Sequence, residues 1–167
     1  NFLASLFFGK KDQVGLSFLD VSTGEFLVCE GDTSYADKLL QSFQPSEVLF
    51  PKDRRKQFEK TYGDKFYTFT LDEWVYTLDY TREKLLQHFE VQTLKGFGVE
   101  ELELAQIASG AILHYLETTE NKNLRHISTI SRVQPERYVW LDRFTIRNLE
   151  LLFSPHESGV PLIKVLD

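Results

Sequence analysis

The sequence contains no methionine, a single cysteine and no long apolar run. One cysteine, Cys29, cannot close an internal disulfide, and the Cys spacings of a metal site are missing. Its place inside an apolar run reads as a buried core thiol. No stretch approaches the roughly 18 apolar residues of a membrane-spanning helix, and no signal peptide is visible in the sequence. A basic surplus is missing as well: 19 Lys and Arg face 25 Asp and Glu, for a net charge of −6. Proteins that bind nucleic acid on their own tend to the opposite balance, because phosphate contacts dominate their affinity. Without a GxxxxGK(S/T) loop the chain has no P-loop of its own for ATP, and it has no HExxH zinc motif. It begins at Asn1 in an apolar stretch, lacks Met and stops at Asp167 in mid-pattern, so it is expected to be a piece of a longer protein.

What is present is ample material for a core. The chain is 42% hydrophobic and 14% aromatic over 167 residues, a length that favours one domain with an appendage. Three runs rich in strand-favouring residues come first, over 2–8, 14–21 and 25–30. Their connectors are short, so they are expected to pair antiparallel. Apolar side chains on both faces of the first two predict a sheet covered on both sides. A helix follows from the Asp32-Thr33 cap to about Phe43, then a strand over 46–50, a helix opened by Pro51 and a strand over 65–70. Beyond Leu71 the pattern turns helical: a short helix at Trp74, one over 81–89, and a long one over 99–119 whose small-residue middle, "AQIASGAI", permits close packing. A strand-like stretch after Leu124 leads to a boundary-like composition over 131–136, and a new helix is expected from Asp142. The order βββ-α-β-α-β defines an α/β class: a mixed sheet, its first three strands antiparallel, flanked by helices.

Several motifs invite a chemical reading. In "SFLDVSTGEF" Asp20 and Glu25 flank Ser22-Thr23-Gly24, either as a carboxylate pair or as the two ends of a turn. "GFGVEE" is half a dinucleotide fingerprint, but Glu101 stands at the third glycine, the preceding segment is helical, and Glu100, Glu101 and Glu103 would repel a phosphate. His88, His114, His126 and His156 are scattered. His114 and Glu117 share a helix face without an apparent third ligand, and "SPHESG" over 154–159 lacks a nucleophile elbow. "PKDRRKQFEK" carries Lys52, Arg54, Arg55, Lys56 and Lys60, diluted by Asp53 and Glu59. A solvated helix face is its plain reading; Lys52, Arg55 and Lys56 are its candidate phosphate contacts.

The element order resembles the ribonuclease H-like class. Nucleases of that class gather metal-binding carboxylates on the first strand, the first helix and the fourth strand, and here the first strand carries none. A two-metal mechanism needs several converging carboxylates. The enzyme reading therefore rests on Asp20, Glu25 and Glu47 alone. The turn reading needs only that Asp20 and Thr23 bond the turn backbone while Gly24 supplies a positive φ.

"FLDVSTGEF", "FQPSEVLF", "LKGFGVE", "ASGAILHYLETT", "LRHISTI" and "VWLDRFTIRNLELL" occur in this order and spacing. Together they resemble the middle of the MutS family of bacterial mismatch recognition proteins. The resemblance implies that residues 1–131 form a non-catalytic, ribonuclease H-like connector domain and that 132–167 begin the helical core. It implies a parent that uses ATP and Mg, binds mismatched duplex DNA, forms a homodimer and works in the bacterial cytoplasm at the nucleoid. This stretch itself would hold no cofactor and no metal. The family's connector also helps to contact MutL. If Leu85 and Phe89 pack inward, Lys84, Gln87 and His88 face outward and are the candidate contact residues.

Overall fold

Residues 1–120 and 123–134 are described by the computed structural model. The chain divides into two units, Asn1–Arg132 and Val133–Asp167. Among the described residues every strand and helix belongs to the first unit. The helix expected from Asp142 lies outside the described residues.

Three consecutive strands, β1 (Phe2–Phe8), β2 (Gln13–Asp20) and β3 (Glu25–Asp32), pair antiparallel in an unbroken register, with Phe2 opposite Asp20 and Asp20 opposite Glu25. Helix α1 (Thr33–Phe43) starts where Asp32 accepts a 2.7 Å hydrogen bond from the Tyr35 N–H, the side-chain cap expected there. It returns the chain to β4 (Glu47–Pro51), parallel to β1. Helix α2 (Arg55–Tyr62) leads to β5 (Thr68–Leu71), parallel to β4. Helices α3 (Leu78–Phe89) and α4 (Glu103–Thr119) follow, and β6 (Ser131–Arg132) closes the sheet parallel to β3. The sheet order is β5-β4-β1-β2-β3-β6, so the class is the mixed α/β sheet read from the pattern.

Both faces are covered. On one side Phe18 stacks on Phe43 of α1 at 4.1 Å, and Phe50 on Phe58 of α2 at 4.3 Å. The other side is the larger core, where Leu3, Leu19, Leu49 and Leu71 meet Leu85, Ile112 and Leu116 of α3 and α4. Among the polar groups buried there, the Ser5 and Tyr76 hydroxyls satisfy each other at 2.9 Å. The small-residue middle of α4 has the predicted effect. A Cβ on Gly110 would lie 2.7 Å from the Thr81 Cα and 2.8 Å from its carbonyl oxygen, so α3 and α4 meet backbone to backbone.

Boundaries differ from expectation where short turns intervene. Pro51 ends β4 with extended backbone, and a 3-10 turn over Lys52–Arg54 precedes α2. The "GFGVEE" segment forms another 3-10 turn, Lys95–Phe97, and α4 starts only at Glu103. Glu100 bonds away from that helix, to the Leu94 N–H and to Arg82. Helix α3 starts earlier than expected, at Leu78, where Asp79 sits in the first turn. The strand-like stretch after Leu124 shrinks to the two residues of β6.

Candidate functional site

The fold brings the three carboxylates of the enzyme reading to one end of the sheet. Asp20 ends β2, Glu25 opens β3 opposite it, and Glu47 opens β4 beside Leu3. Asp20 and Glu47 are already engaged within the fold, and Glu25 is exposed. Asp20 Oδ1 accepts from the Ser22 hydroxyl at 2.7 Å, the Ser22 N–H at 3.0 Å and the Thr23 N–H at 3.3 Å. Its Oδ2 lies 3.3 Å from the Asn1 backbone nitrogen. The Ser22 hydroxyl above all, helped by these other donors, holds the Asp20 carboxyl down at about 2, against a burial that pulls the other way. Thr23 Oγ1 accepts from the Glu25 N–H, and Gly24 adopts φ +84. The Glu47 carboxylate accepts from the Tyr115 hydroxyl at 2.9 Å. Among the described residues no group of three His, Cys, Asp or Glu side chains is placed to hold a metal ion. The stretch is built as a turn.

A second constellation links the two helices. Lys84 of α3 pairs with Glu117 of α4 at 2.6 Å and lies over the Tyr80 ring. The Tyr80 hydroxyl is 2.6 Å from His114 Nδ1, and Trp74 packs edge-on against both rings. Burial, then the charge of Lys84, pushes the His114 pKa down. His88 Nε2 is 2.7 Å from the Ile127 carbonyl oxygen. His88 and Glu117 thus line an open cleft with Glu90, Leu124 and Arg125. Of the three residues expected to face outward, only Gln87 is fully exposed; Lys84 and His88 are half-buried and bonded within the fold. Leu85 packs inward as read, and Phe89 only partly.

The basic segment is dispersed by its own neighbours. Lys52 pairs with Asp72 at 3.0 Å, and Arg55 lies over the Phe50 ring and 3.7 Å from Glu59. Arg54 donates to Gln57, and Lys56 is exposed on α2.

Some contacts were not legible in the pattern. His126 Nε2 bonds the Val21 carbonyl oxygen, so the segment after α4 folds back over the turn that Asp20 builds. From β3, Glu30 reaches the start of α4 and accepts from the Ala105 N–H at 3.1 Å. Burial pushes its carboxyl pKa up, against the amides of Ala105 and Leu104 that favour the anion. Tyr67, Phe69 and Trp74 are exposed at 83%, 42% and 55%. The alternation Tyr67-Thr68-Phe69-Thr70 places both aromatic residues on one face of the strand, the face that alternation would bury, and it did not say that the strand would stand at the edge of the sheet.

Comparison with known proteins matches residues 1–128 to a family model described as MutS domain II. The DNA mismatch repair protein MutS of Cytophaga hutchinsonii is 53% identical over all 167 residues, and those of Flavobacterium psychrophilum and Bacteroides fragilis are 54% and 52% identical. The chain is covered in full in each alignment and spans 19% of the length of each relative. A solved mutant nuclease domain of the large terminase subunit gp2 of bacterial virus Sf6 superposes with a TM-score of 0.35 at 12% identity, over 78% of this chain and 62% of that one. A likeness of that size bears no functional weight.

Proposed function

This chain belongs to the MutS family, whose domain II it carries over residues 1–128, and from that premise we propose that it is the connector of a DNA mismatch repair protein. In this reading residues 1–131 join mismatch binding in one part of the parent to the ATPase-bearing clamp in another, and 132–167 begin the helical core. The connector catalyses nothing. Mismatch reading, and ATP with its Mg, belong to parts outside this stretch. The parent binds mismatched duplex DNA, acts as a homodimer in the cytoplasm at the nucleoid, and engages a MutL-type protein through its connector.

The observation that carries the reading is identity above 50% with mismatch repair proteins over all 167 residues, past the end of the domain II match. The turn supports the non-catalytic part, because Asp20 already serves donors of its own loop. For the MutL-type contact, Gln87 is the exposed member of the candidate face; the candidate phosphate contacts Lys52, Arg55 and Lys56 are all exposed, with Lys52 and Arg55 in ion pairs.

Two measurements test this. The parent, incubated with duplex DNA and Mg or Mn, is expected to show no cleavage that Asp20→Asn abolishes; such cleavage would establish the nuclease reading instead. Single cysteines at Gln87, Lys84 and His88 are expected to cross-link to the MutL-type partner in the ATP state at Gln87 first. Cross-linking at other connector positions but at none of these would move the contact off α3.

A further inference from the structure

We propose that the open edge of β5, with the aromatic side chains beside it, docks an extended, positively charged segment of a partner protein as an added strand. This rests on the sheet edge and its charges and is independent of the family assignment.

The edge is available in its hydrogen bonding. Among the described residues β5 ends the sheet and pairs with β4 alone, with Thr68 beside Val48 and Thr70 beside Phe50. The Val48 N–H donates to the Tyr67 carbonyl at 2.8 Å. In a parallel pair the polar groups of successive residues point to opposite sides. Those of Tyr67 and Phe69 therefore serve β4, and the N–H and C=O of Thr68 and Thr70 point to the open edge. Such an edge is a ready template for another strand.

The side chains at this edge are also unusual for the molecule. Tyr67, Phe69 and Trp74 are the exposed large hydrophobic residues among those described, and all fall within eight positions of one another. Two of them are held rather than loose. Phe69 packs on Tyr115 at 5.3 Å, and Trp74 on Tyr80 and His114 at 5.1 and 5.4 Å. Aromatic side chains fixed in this way lose little freedom on binding.

Charge selects the occupant. Asp72 and Glu73 follow β5 directly, and Glu47 and Glu120 both act on the Tyr115 hydroxyl. Glu117 lies at His114. Ion pairs take up Lys52 with Asp72, Lys84 with Glu117 and Lys65 with Asp37, so the acidic surplus of the rim is carried by Glu73, Glu47 and Glu120. An aromatic surface can stack nucleic acid bases, but this rim repels phosphate. A second copy of the chain would bring the same acidic rim to it. A strand with Lys or Arg on one side and branched or aromatic side chains on the other meets the backbone, the rings and the carboxylates together.

The test titrates a synthetic peptide of about eight residues, alternating Lys and Val, into the 167-residue chain, with calorimetry for affinity and amide hydrogen exchange for place. Saturable binding that slows exchange at Thr68 and Thr70 is expected. Thr70→Pro removes one outward N–H at a position where an edge strand accommodates proline, and Trp74→Ala removes part of the aromatic surface. Each is expected to weaken binding about tenfold while the melting transition is retained. If Thr70→Pro does not fold, Trp74→Ala decides. A Glu-Val peptide is expected not to bind. The proposal is overturned by no binding at millimolar peptide, by equal affinity for the Glu-Val peptide, or by unchanged affinity in the folded variants. Tighter binding of single-stranded oligothymidine, or a dimer of the chain that Thr70→Pro dissolves, would overturn it as well.

Discussion

Gly24 lies directly beneath the carbonyl of His126: a Cβ added to it would sit 2.8 Å from the His126 oxygen. The same histidine bonds Val21 through its ring. The β2–β3 turn is therefore shaped on two counts, by its own backbone at φ +84 and by a segment about a hundred residues later in sequence.

Gly24→Val meets both constraints at once, a branched side chain in the left-handed region and a backbone oxygen in the way. A loss of about 3 kcal/mol is expected in urea unfolding. Glu25→Gln, one position on at an exposed site, is expected to change stability by less than about 0.5 kcal/mol. Equal losses would mean that the turn does not need glycine.

Asp20 ties stability to acid pH. Its carboxyl is held at about 2, below the ordinary value of 3.8. A carboxylate with a lowered folded pKa stabilises fully above the unfolded value, and the contribution fades as pH falls through the folded one. Stability should therefore drop between about pH 4 and pH 2, by about 1 to 2 kcal/mol from this group. Asp20→Asn should flatten that drop and cost about 1 kcal/mol at pH 7, as read from urea midpoints across pH.

Glu30 works in the opposite sense. Burial raises its carboxyl pKa, so the protonated form suits the fold, and the contribution shrinks as pH rises through the folded value. Glu30→Gln keeps an acceptor for the Ala105 N–H without burying charge. At pH 7 it is expected to be neutral or stabilising, whereas Glu30→Ala loses about 1 kcal/mol. A glutamine variant markedly weaker than the alanine variant would contradict this.

Gly110→Ala would drive a methyl group into the Thr81 backbone. Overpacking of this kind costs about 1 to 3 kcal/mol. The α3 amides should lose hydrogen-exchange protection before those of β1 and β2. Uniform loss across the sheet would mean that α3 does not yield separately.

The parts of this fold legible in the sequence are those whose cause is local. Asp20, Ser22, Thr23 and Gly24 specify a turn within a few residues, and Asp32 caps its own helix. The flanking strands and α1 were therefore readable. The face of α3 was legible only in part. Periodicity placed Leu85 inside, but it could not reveal that Glu117 of α4 stands across from Lys84, or that the chain after Leu124 passes within reach of His88. Side chains that looked free on one helix are spent on a neighbour that the pattern does not locate. The contacts of Glu30 with Ala105 and of His126 with Val21 were hidden for the same reason: they join positions 75 and 105 residues apart in sequence.

The sheet order also sets how this unit would respond to tension. β1 runs for seven residues between two hydrogen-bonded neighbours, whereas β6 holds to β3 by two residues at the margin. Phe2 and Arg132 lie toward the same end of the sheet, on strands separated by β2 and β3, so a pull between them runs across the strands and peels the two-residue β6 before it opens the longer pairings of β1. The unit would thus transmit force on its entry side and slacken on its exit side.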